Sequence, residues 1–329
     1  MNPRVSLALR RARGDAVAAE ALAERLAMTP DAVARAVDAL EQAGFRIESH
    51  PIQGYRLLGV PRRLLEDELA CDLGTRRIGR HVRCVEEAAS TNDLAWLAAD
   101  EGRDAADGLA VFAEYQTAGR GRRGRRWFAP PHSSILGSVV LWVPDAAANG
   151  GGLTRAVSLA AAEAIEGETG LEVGIRWPND LVVDDRKIGG VLVEARSAAA
   201  GETAVVLGVG INCTQRAEAF PPRIRPGVAS LETAGAEADR TLLARALLAR
   251  LDAVLARLAD ASAVREVHAE AARRCRTLGR RITVTDGRET TSGEVVALDP
   301  EYGLLLRLAD GAVRRFPPMT THVVAQGEG

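Results

Sequence analysis

Apolar residues recur every three or four positions in several stretches of this chain, a spacing that places them on one face of a helix. The clearest stripe contains Leu243, Leu247 and Leu251, which we interpret as core. Several of these stretches follow one another at the start of the chain and predict a small helical domain. The predicted helices cover residues 4–13, Ala18–Ala27, Asp31–Gln42, Leu153–Thr169 and Arg240–Leu258.

Short apolar runs bounded by turn residues predict strands in the middle of the chain. They are mixed with helical stretches from a linker around Pro61 to about residue 275. We therefore expect a central domain built on a mixed sheet. The predicted strands are Leu109–Tyr115, Ile135–Val143, Val173–Trp177, Leu181–Val183, Ile188–Ala195 and Ala204–Val209.

The last part of the chain alternates apolar and polar residues over short distances, with turns predicted at Asp286-Gly287 and Asp310-Gly311. We predict five short strands in about forty residues from Leu278 to Phe316. This density of short strands fits a small SH3-like barrel.

The first three helices have the spacing of a helix-turn-helix, in which two short helices are joined by a turn of a few residues. Thr29 or Asp31 can cap the third helix, and Gly44 ends it. Phe45–Glu48 and Tyr55–Leu58 flank a turn and predict a hairpin, which would be the wing. Residues 1–62 are therefore predicted to form a winged helix-turn-helix.

The charge of this predicted domain gives DNA binding only weak support. Residues 1–60 carry eight arginines against seven acidic residues, a net charge of +1. The predicted recognition helix offers Arg35, but also Asp31, Asp38 and Glu41. Winged helices also serve as protein-contact modules, so both roles stay open; the motif itself favours sequence-specific DNA binding.

The composition narrows the class of protein. A chain of 329 residues that is 47% hydrophobic should form two or three globular domains. Its formal net charge of −2 argues against wholesale coating of a nucleic acid. Its four cysteines include no Cys-x-x-Cys pair and are expected to be inert thiols in a reducing compartment. With no signal-peptide pattern and no apolar run of membrane length, we expect a cytoplasmic protein and no membrane partner.

The basic residues of the chain are strongly biased toward arginine, with a single lysine as the exception. Lysine and arginine together number 42, and the sole lysine among them is Lys187. Biased codon usage explains the arginines, but it does not explain the exception. Lys187 follows the turn Asp184-Asp185-Arg186 of a predicted hairpin and precedes Gly189 and Gly190, which leave room for a ligand against the backbone.

The stretch Glu114–Trp127 reads EYQTAGRGRRGRRW, in which five of the eight residues 119–126 are arginine and the other three are glycine. Five guanidiniums repel one another, so we expect a segment that is mobile until an anion neutralises it. Such a loop can close over a phosphate or a carboxylate. A solvated surface loop and an RG-rich nucleic-acid contact are the other interpretations.

Two further motifs place polar groups at the ends of regular elements. Ser90-Thr91-Asn92-Asp93 precedes a helical run through Leu94 and Leu97 and is predicted to cap that helix. Polar groups at a helix N-terminus can also hold a polar ligand head. The strand Val173–Trp177 stops at Pro178-Asn179-Asp180.

These motifs occur together in the order and spacing of a known family. The chain resembles biotin–protein ligases, and its N-terminal domain resembles that of the bifunctional branch, which also represses biotin genes. The pairing of GRGRRGRxW with WPND is highly specific, and the resemblance covers essentially all of the chain. The matching motifs are Ser90-Thr91-Asn92, Glu114-Tyr115-Gln116, Gly119–Trp127, Trp177-Pro178-Asn179-Asp180, Arg186–Gly190 and Gly208–Asn212.

The resemblance implies an α+β fold in three domains. Residues 1–62 would be the winged helix-turn-helix, and residues 63–275 a catalytic domain with a mixed sheet, like biotin and lipoyl ligases and related to class II synthetases. Residues 276–329 would be an SH3-like barrel that contacts nucleotide and carrier protein. The basic contact to ATP expected near the C-terminus is replaced here by Thr321-His322-Val323-Val324.

The resemblance also implies the reaction and its partners. Biotin and ATP would form biotinyl-5′-AMP, with Mg²⁺ accompanying the nucleotide. The biotinyl group would pass to a lysine of a biotin carboxyl carrier domain of acetyl-CoA carboxylase or a related carboxylase. A homodimer is expected when the adenylate is bound, with operator DNA as a further partner. No metal site made of protein side chains is expected.

Residue roles carry over from the family motifs position by position. Asp180 is the candidate that orients or deprotonates the incoming lysine amine, and Lys187 would lie between the biotin carboxylate and the α-phosphate. The catalytic set is Lys187, Asp180, Asn179 and Arg122. The biotin-binding set is Ser90, Thr91, Asn92, Gln116, Gly119, Arg120, Gly121, Arg122, Trp127, Lys187 and Gly190. The nucleotide-binding set is Arg122, Arg123, Arg125, Asn179, Lys187 and Asn212.

Other functions remain open at this point. The chain could be a ligase with a vestigial winged helix, or a lipoate-type ligase with the same adenylation chemistry. A regulator that only senses biotin would need no Lys187. A nucleic-acid protein would use the arginine loop directly, with steep salt dependence and no need for ATP.

Overall fold

The computed structural model describes residues 1–148, 151–199, 201–299, 303–318 and 320–326. The chain begins with three helices and a two-stranded antiparallel hairpin, as the hydrophobic pattern predicts. Thr29 caps the third helix, because its side-chain oxygen accepts a hydrogen bond from the amide of Ala32 at 3.2 Å. These elements are α1 (Pro3–Arg11), α2 (Ala19–Leu26), α3 (Pro30–Gln42), β1 (Arg46–His50) and β2 (Gly54–Gly59).

A seven-stranded mixed sheet forms the centre of the molecule. Its first two strands are parallel, and the other neighbours are antiparallel. The first strand has no counterpart among the predicted strands, because its residues alternate weakly in polarity. In chain order the strands are β3 (Val82–Ala88), β4 (Ala110–Gln116), β5 (Ser134–Pro144), β6 (Gly174–Arg176), β7 (Asp180–Val183), β8 (Arg186–Ser197) and β9 (Glu202–Asn212). Across the sheet the order is β3-β4-β5-β9-β8-β7-β6.

Helices cover both faces of this sheet, and alternate residues of β5 show the division. Val139 and Leu141 belong to the core shared with the helices Gly152–Thr169 and Arg240–Arg257, whereas Val140 and Trp142 belong to the core shared with the helix Thr91–Asp100. Both faces of the central sheet are therefore buried, which explains why its strands are nearly continuous apolar runs in the sequence. The helices are α4 (Glu66–Ala70), α5 (Thr91–Asp100), α6 (Arg103–Ala106), α7 (Asp145–Ala148), α8 (Gly152–Thr169), α9 (Arg240–Arg257) and α10 (Ala261–Arg273).

The C-terminal part is a five-stranded antiparallel sheet in the order β13-β12-β11-β10-β14. Four of its strands lie in the predicted stretch, but the fifth lies at His322–Gln326, beyond Phe316, and pairs with β10. Trp177 of the central domain packs into the core of this sheet beside Ile282 and Val284. The strands are β10 (Arg281–Thr285), β11 (Thr290–Asp299), β12 (Gly303–Arg307), β13 (Val313–Phe316) and β14 (His322–Gln326).

A buried ion cluster joins the N-terminal helices to the central domain. Arg10 of α1 donates to both carboxylate oxygens of Glu68 of α4 at 2.8 Å, and to Asp239 at the start of α9 at 2.7 Å. The side chains of Arg10 and Glu68 are 2% and 0% exposed. Burial opposes the charge of Arg10, but the hydrogen bonds and charges of Glu68 and Asp239 outweigh it and raise the pKa of Arg10. The cluster holds the helical domain against the sheet domain.

Replacing Arg10 by methionine should strongly destabilise the protein, because it keeps the aliphatic stem but leaves Glu68 buried without a counter-charge. The expected loss in free energy of unfolding is about 3–5 kcal/mol. Urea denaturation followed by circular dichroism measures it. The matched control is Arg4→Met, since Arg4 pairs with Asp72 where both side chains are exposed, and such pairs contribute roughly 1 kcal/mol or less. Equal losses in the two variants would contradict the special role of the buried cluster.

Candidate active site

A cleft with a cavity volume of about 240 Å³ opens at one end of the central sheet. Its lining combines the start of α5, the arginine loop, the turn before β7 and the glycines of β8 and β9. Gly119 and Arg123 do not line it. The predicted site residues that do are Ser90, Thr91, Asn92, Gln116, Arg120, Gly121, Arg122, Arg125, Trp127, Asn179, Asp180, Lys187, Gly190 and Asn212.

The floor of the cleft is a network of buried polar groups at the start of α5. Ser138 of β5 donates its hydroxyl to Thr91 at 2.7 Å or to Asn92 at 2.6 Å. Gln116 accepts from the amide of Thr91 at 2.7 Å and from its hydroxyl at 3.2 Å. Since Thr91 and Asn92 are both under 5% exposed, these bonds hold their polar atoms in one arrangement.

The predicted cap of α5 is only partly correct. Ser90 occupies the N-cap position, but its side chain makes no capping hydrogen bond. Gln116, at the end of β4, instead accepts from the amide of Thr91. The cap is therefore supplied from a neighbouring strand, which local sequence spacing does not reveal.

Carboxylates from other elements anchor the arginine loop at its base. Arg120 pairs with Asp93 at 2.7 Å and with Glu194 of β8 at 3.1 Å. Opposite Arg120, Arg126 completes a small antiparallel bridge, and a turn of 3-10 helix lies between them. The base of the loop is thus held by carboxylates of α5 and β8 and by its own backbone bridge.

Glu194 has two side-chain partners besides Arg120. It also accepts from Asn92 at 3.1 Å and from the indole of Trp96 at 2.9 Å. Burial disfavours its charge, but the hydrogen bonds from Arg120, Trp96 and Asn92 outweigh burial and hold the pKa of Glu194 below its usual value. Glu194 therefore links the loop, α5 and β8.

The tip of the loop contacts the C-terminal domain. Arg122 donates to the backbone carbonyl of Pro318, and Arg123 donates to that of Thr320. Burial and the neighbouring charges of Arg123 and Arg125 lower the pKa of Arg122, and Asp180 only partly opposes this. An anion bound beside Arg122 would relieve this crowding of positive charge.

Lys187 and Trp127 lie together on the wall of the cleft. The ammonium of Lys187 is 2.5 Å from a carboxylate oxygen of Asp180 and 5.5 Å from the centre of the Trp127 ring. A Cβ at Gly210 would come within 2.6 Å of the indole ring, and one at Gly190 within 3.3 Å of the Lys187 nitrogen. Gly210 is therefore required by the indole ring that lies against its strand, whereas a side chain at position 190 would displace the end of Lys187 by a few tenths of an ångström.

The turn before β7 is held from both sides. Asn179 donates its side-chain amide to the carbonyl of Val191 at 2.6 Å. Asp180 faces Lys187 through one oxygen and Arg176, at 3.3 Å, through the other. Both oxygens of Asp180 are therefore already engaged by cations of its own chain.

Asn212, at the end of β9, is engaged by protein groups. It donates to the carbonyl of Ala229 at 2.9 Å and accepts from Gln215 at 3.2 Å. It borders the cleft, and these bonds hold the segment after β9 along the wall.

Three family models match consecutive parts of the chain. A model described as an HTH domain matches residues 5–56, and the Biotin/lipoate A/B protein ligase family matches residues 87–212. The Biotin protein ligase C terminal domain matches residues 277–319.

Full-length relatives agree with these matches. A protein of Mycobacterium tuberculosis named Biotin--[acetyl-CoA-carboxylase] ligase is 34% identical over 227 residues, which are 68% of this chain and 80% of the relative. The Bifunctional ligase/repressor BirA of Escherichia coli is 31% identical over 244 residues, 74% of each chain. This chain belongs to the biotin–protein ligases.

A solved structure supports the fold of this biotin–protein ligase. The biotin protein ligase of Aquifex aeolicus in complex with biotin and ATP superposes with a TM-score of 0.62 at 25% identity. The match covers 74% of this chain and 98% of that one.

Two polar residues that hold lining residues of the ligase cleft in place were not predicted from the sequence. Ser138 and Glu194 each interrupt an apolar strand, which is a detectable signal in itself. A buried strand position should be apolar unless its polar atoms have partners. The sequence alone does not name those partners.

Two kinds of feature are not found in the described parts of the chain. The described residues contain no group of three or more His, Cys, Asp or Glu side chains that could hold a metal ion. No helix there is long and apolar enough to cross a membrane.

Replacing Glu194 by glutamine should loosen the base of the arginine loop, because the charge that holds Arg120 is lost. A partly exposed ion pair worth about 1 kcal/mol corresponds to a roughly fivefold faster trypsin cleavage within residues 119–126. Quantitative mass spectrometry of the fragments measures it. The anchor should act above the unfolded pKa of Glu194 and disappear as pH falls through its lower folded pKa.

The matched control for this loop experiment is Glu202→Gln. Glu202 forms an ion pair with Arg103 away from the cleft, at 2.6 Å. Its loss should leave cleavage of residues 119–126 unchanged. Equal acceleration in both variants would show that Glu194 has no specific hold on the loop.

Proposed function

We propose that the cleft joins biotin to ATP and then passes the biotinyl group to a lysine of a carrier protein. The observation that carries this proposal is the placement of Arg122 and Lys187 on the wall of a cleft whose floor is a polar network around Thr91. A polar floor can hold the ureido head, and the cations can hold the acid end of biotin against a phosphate.

The chemistry explains why positive charge is needed. A carboxylate is a poor acyl donor, so ATP first converts it to biotinyl-5′-AMP and releases pyrophosphate. This step brings two anions together, and cations placed in advance stabilise the transition state. In the second step an amine attacks the acyl carbon, AMP leaves, and an amide forms.

We assign roles on the same basis. Thr91, Gln116 and the backbone near Arg120 would hold the ureido head, and Trp127 would pack on the apolar part of biotin. The indole nitrogen of Trp127 is buried and, among the described residues, has no hydrogen-bond partner. Lys187 would bridge the carboxylate and the α-phosphate.

The remaining assignments concern the nucleotide. Arg122 and Arg125 lie on the cleft wall and suit the phosphates, whereas Arg123 reaches the carbonyl of Thr320 outside it. Asn179 and Asn212 each hold a backbone segment of the cleft wall by hydrogen bonds. These two segments would border the nucleotide. Mg²⁺ would arrive on the ATP phosphates, since Asp180, the carboxylate that faces Lys187, is already paired with that cation.

The three-domain division at residues 62 and 275 is part of the proposal, as is the SH3-like closure of the last five strands. Its support is the agreement with family matches at residues 5–56, 87–212 and 277–319. The C-terminal domain would contribute by holding Arg122 and by fixing the turn that Trp177 begins.

The acceptor would be a biotin carboxyl carrier domain of acetyl-CoA carboxylase or a related carboxylase, in line with the name of the mycobacterial relative. We also propose that the protein represses transcription as a homodimer when the adenylate is bound, in line with the name of the Escherichia coli relative. The cytoplasm, where carrier and operator are found, would be its location.

The wild-type protein should label a carrier domain when given biotin and ATP, and should not use lipoate in place of biotin. Lys187→Arg should lower the rate of pyrophosphate release roughly a hundredfold, the scale on which preorganised charges act. A guanidinium is longer and planar, so it would not place a single charge between the two oxygens as the compact ammonium of Lys187 does. A pyrophosphate assay and labelled biotin measure both results.

Arg186→Lys is the control for this substitution, because it makes the opposite exchange at the neighbouring position, outside the cleft lining. It should retain near wild-type rates. Lys187→Arg with a near wild-type rate would remove the proposed bridge, and preferential use of lipoate would remove the proposed substrate.

Binding to operator DNA should increase when biotin and ATP are both present, because a dimer supplies two half-site readers. The salt dependence should be shallow. The outer face of α3 exposes Arg35 with Asp31, Asp38 and Glu41, so few phosphates are neutralised and the slope of log K against log salt is small. Fluorescence anisotropy over a salt series measures both, and equal binding with and without ligands would contradict the repressor role.

A further inference from the structure

Lys187 lies where an acylating intermediate made in the cleft could react with its amine. Its nitrogen lies in the cleft, 5.5 Å from the centre of the Trp127 ring. If the proposed function is right, the acyl carbon of biotinyl-5′-AMP forms within its reach. A free amine there would be the nearest nucleophile during the whole time that the enzyme waits for a carrier protein.

We propose that Asp180 protects Lys187 from biotinylation by the enzyme's own intermediate. The carboxylate lies 2.5 Å from the Lys187 nitrogen and forms an ion pair with it, and this pair must be broken before the nitrogen can act as a nucleophile. An ammonium has no free electron pair, so it can stabilise the oxygens of the adenylate but cannot attack the carbonyl. Asp180 is then a positioning residue that acts through Lys187.

The geometry supports this role over that of a general base. Arg176 lies 3.3 Å from the second carboxylate oxygen, so a cation of the chain already pairs with each oxygen and competes with an incoming amine for it. The pair is about one quarter exposed, with side-chain exposures of 28% for Lys187 and 24% for Asp180. Water screens it only partly, which makes it stronger than a pair on the open surface.

The reaction that Asp180 prevents is acylation of the Lys187 amine by biotinyl-5′-AMP. The electron pair of a neutral Lys187 amine would attack the acyl carbon, and the bond from that carbon to the phosphate oxygen would break. AMP would leave with that electron pair, and the amine would lose a proton to solvent. The product would be an amide on Lys187, which destroys the cation needed for the next adenylation.

The sequence makes the test unambiguous. Lys187 is the only lysine, so the only other amine in the chain is the N-terminus at Met1. Guanidiniums are not acylated under these conditions because they stay protonated. Any biotin on the peptide that contains Lys187 therefore reports on this one nitrogen, and biotin at Met1 reports on adenylate that reacts from solution.

The experiment supplies synthetic biotinyl-5′-AMP to the full-length protein without a carrier domain, so adenylation is bypassed. Wild type should carry no biotin on Lys187. In Asp180→Asn the ratio of Lys187 to Met1 labelling should rise about tenfold or more, which corresponds to about 1.4 kcal/mol of lost pairing. Arg176→Gln keeps the Lys187 pair and should behave like wild type, and Asp180→Asn with Lys187→Arg should lose the new label. Peptide mass spectrometry reads each result.

A second measurement covers the case in which Asp180→Asn no longer holds the adenylate. A small acetylating reagent, the N-hydroxysuccinimide ester of acetate, should modify Lys187 relative to Met1 more slowly in wild type than in Asp180→Asn. Equal ratios in the two proteins, or labelling of Lys187 in wild type at the Met1 rate, would overturn the proposal. Failure of wild type to biotinylate a carrier domain from biotin and ATP would instead refute the proposed function, and it would not affect these ratios.

Discussion

The cleft depends on holding several positive charges close together before any anionic substrate is present. Like charges repel most strongly where burial removes water. The fold offsets this repulsion with acceptors from other elements: Glu194 holds Arg120, Asp180 holds Lys187, and a C-terminal carbonyl holds Arg122. Charges arranged in this way need little reorganisation when the anions arrive, which is the condition for electrostatic catalysis.

The same constraint explains how the C-terminal domain supports the cleft, although none of its described residues lines it. The arginine loop starts on the central sheet, but its tip reaches carbonyls beyond β13. Trp177 precedes the turn that carries Asp180 and packs into the core of the C-terminal sheet. The two domains thus fix opposite sides of one site, and movement between them would change the distance between the loop and Lys187.

The carboxylates of the site have different functions although their chemistry is the same. Glu194 accepts four hydrogen bonds from three side chains and acts as a fixed anchor. Asp180 has two cationic partners and lies on the cleft wall itself. Glu68, at the far side of the domain, is fully buried with Arg10 and joins the N-terminal helices to the sheet. Burial and partner number, rather than residue type, separate these roles.

The sequence by itself determined the class of the fold, the three helices and hairpin at the start, most strands and part of the set of residues that line the cleft. Those features follow from spacing over a few positions and from the motifs Gly119–Trp127 and Trp177–Asp180. It did not show the fifth C-terminal strand, the cap that Gln116 provides or the role of Glu194. Only the tertiary structure decided these, because Arg120 and Glu194 are 74 residues apart, and an ion pair at that separation forms only when the sheet brings its strands together.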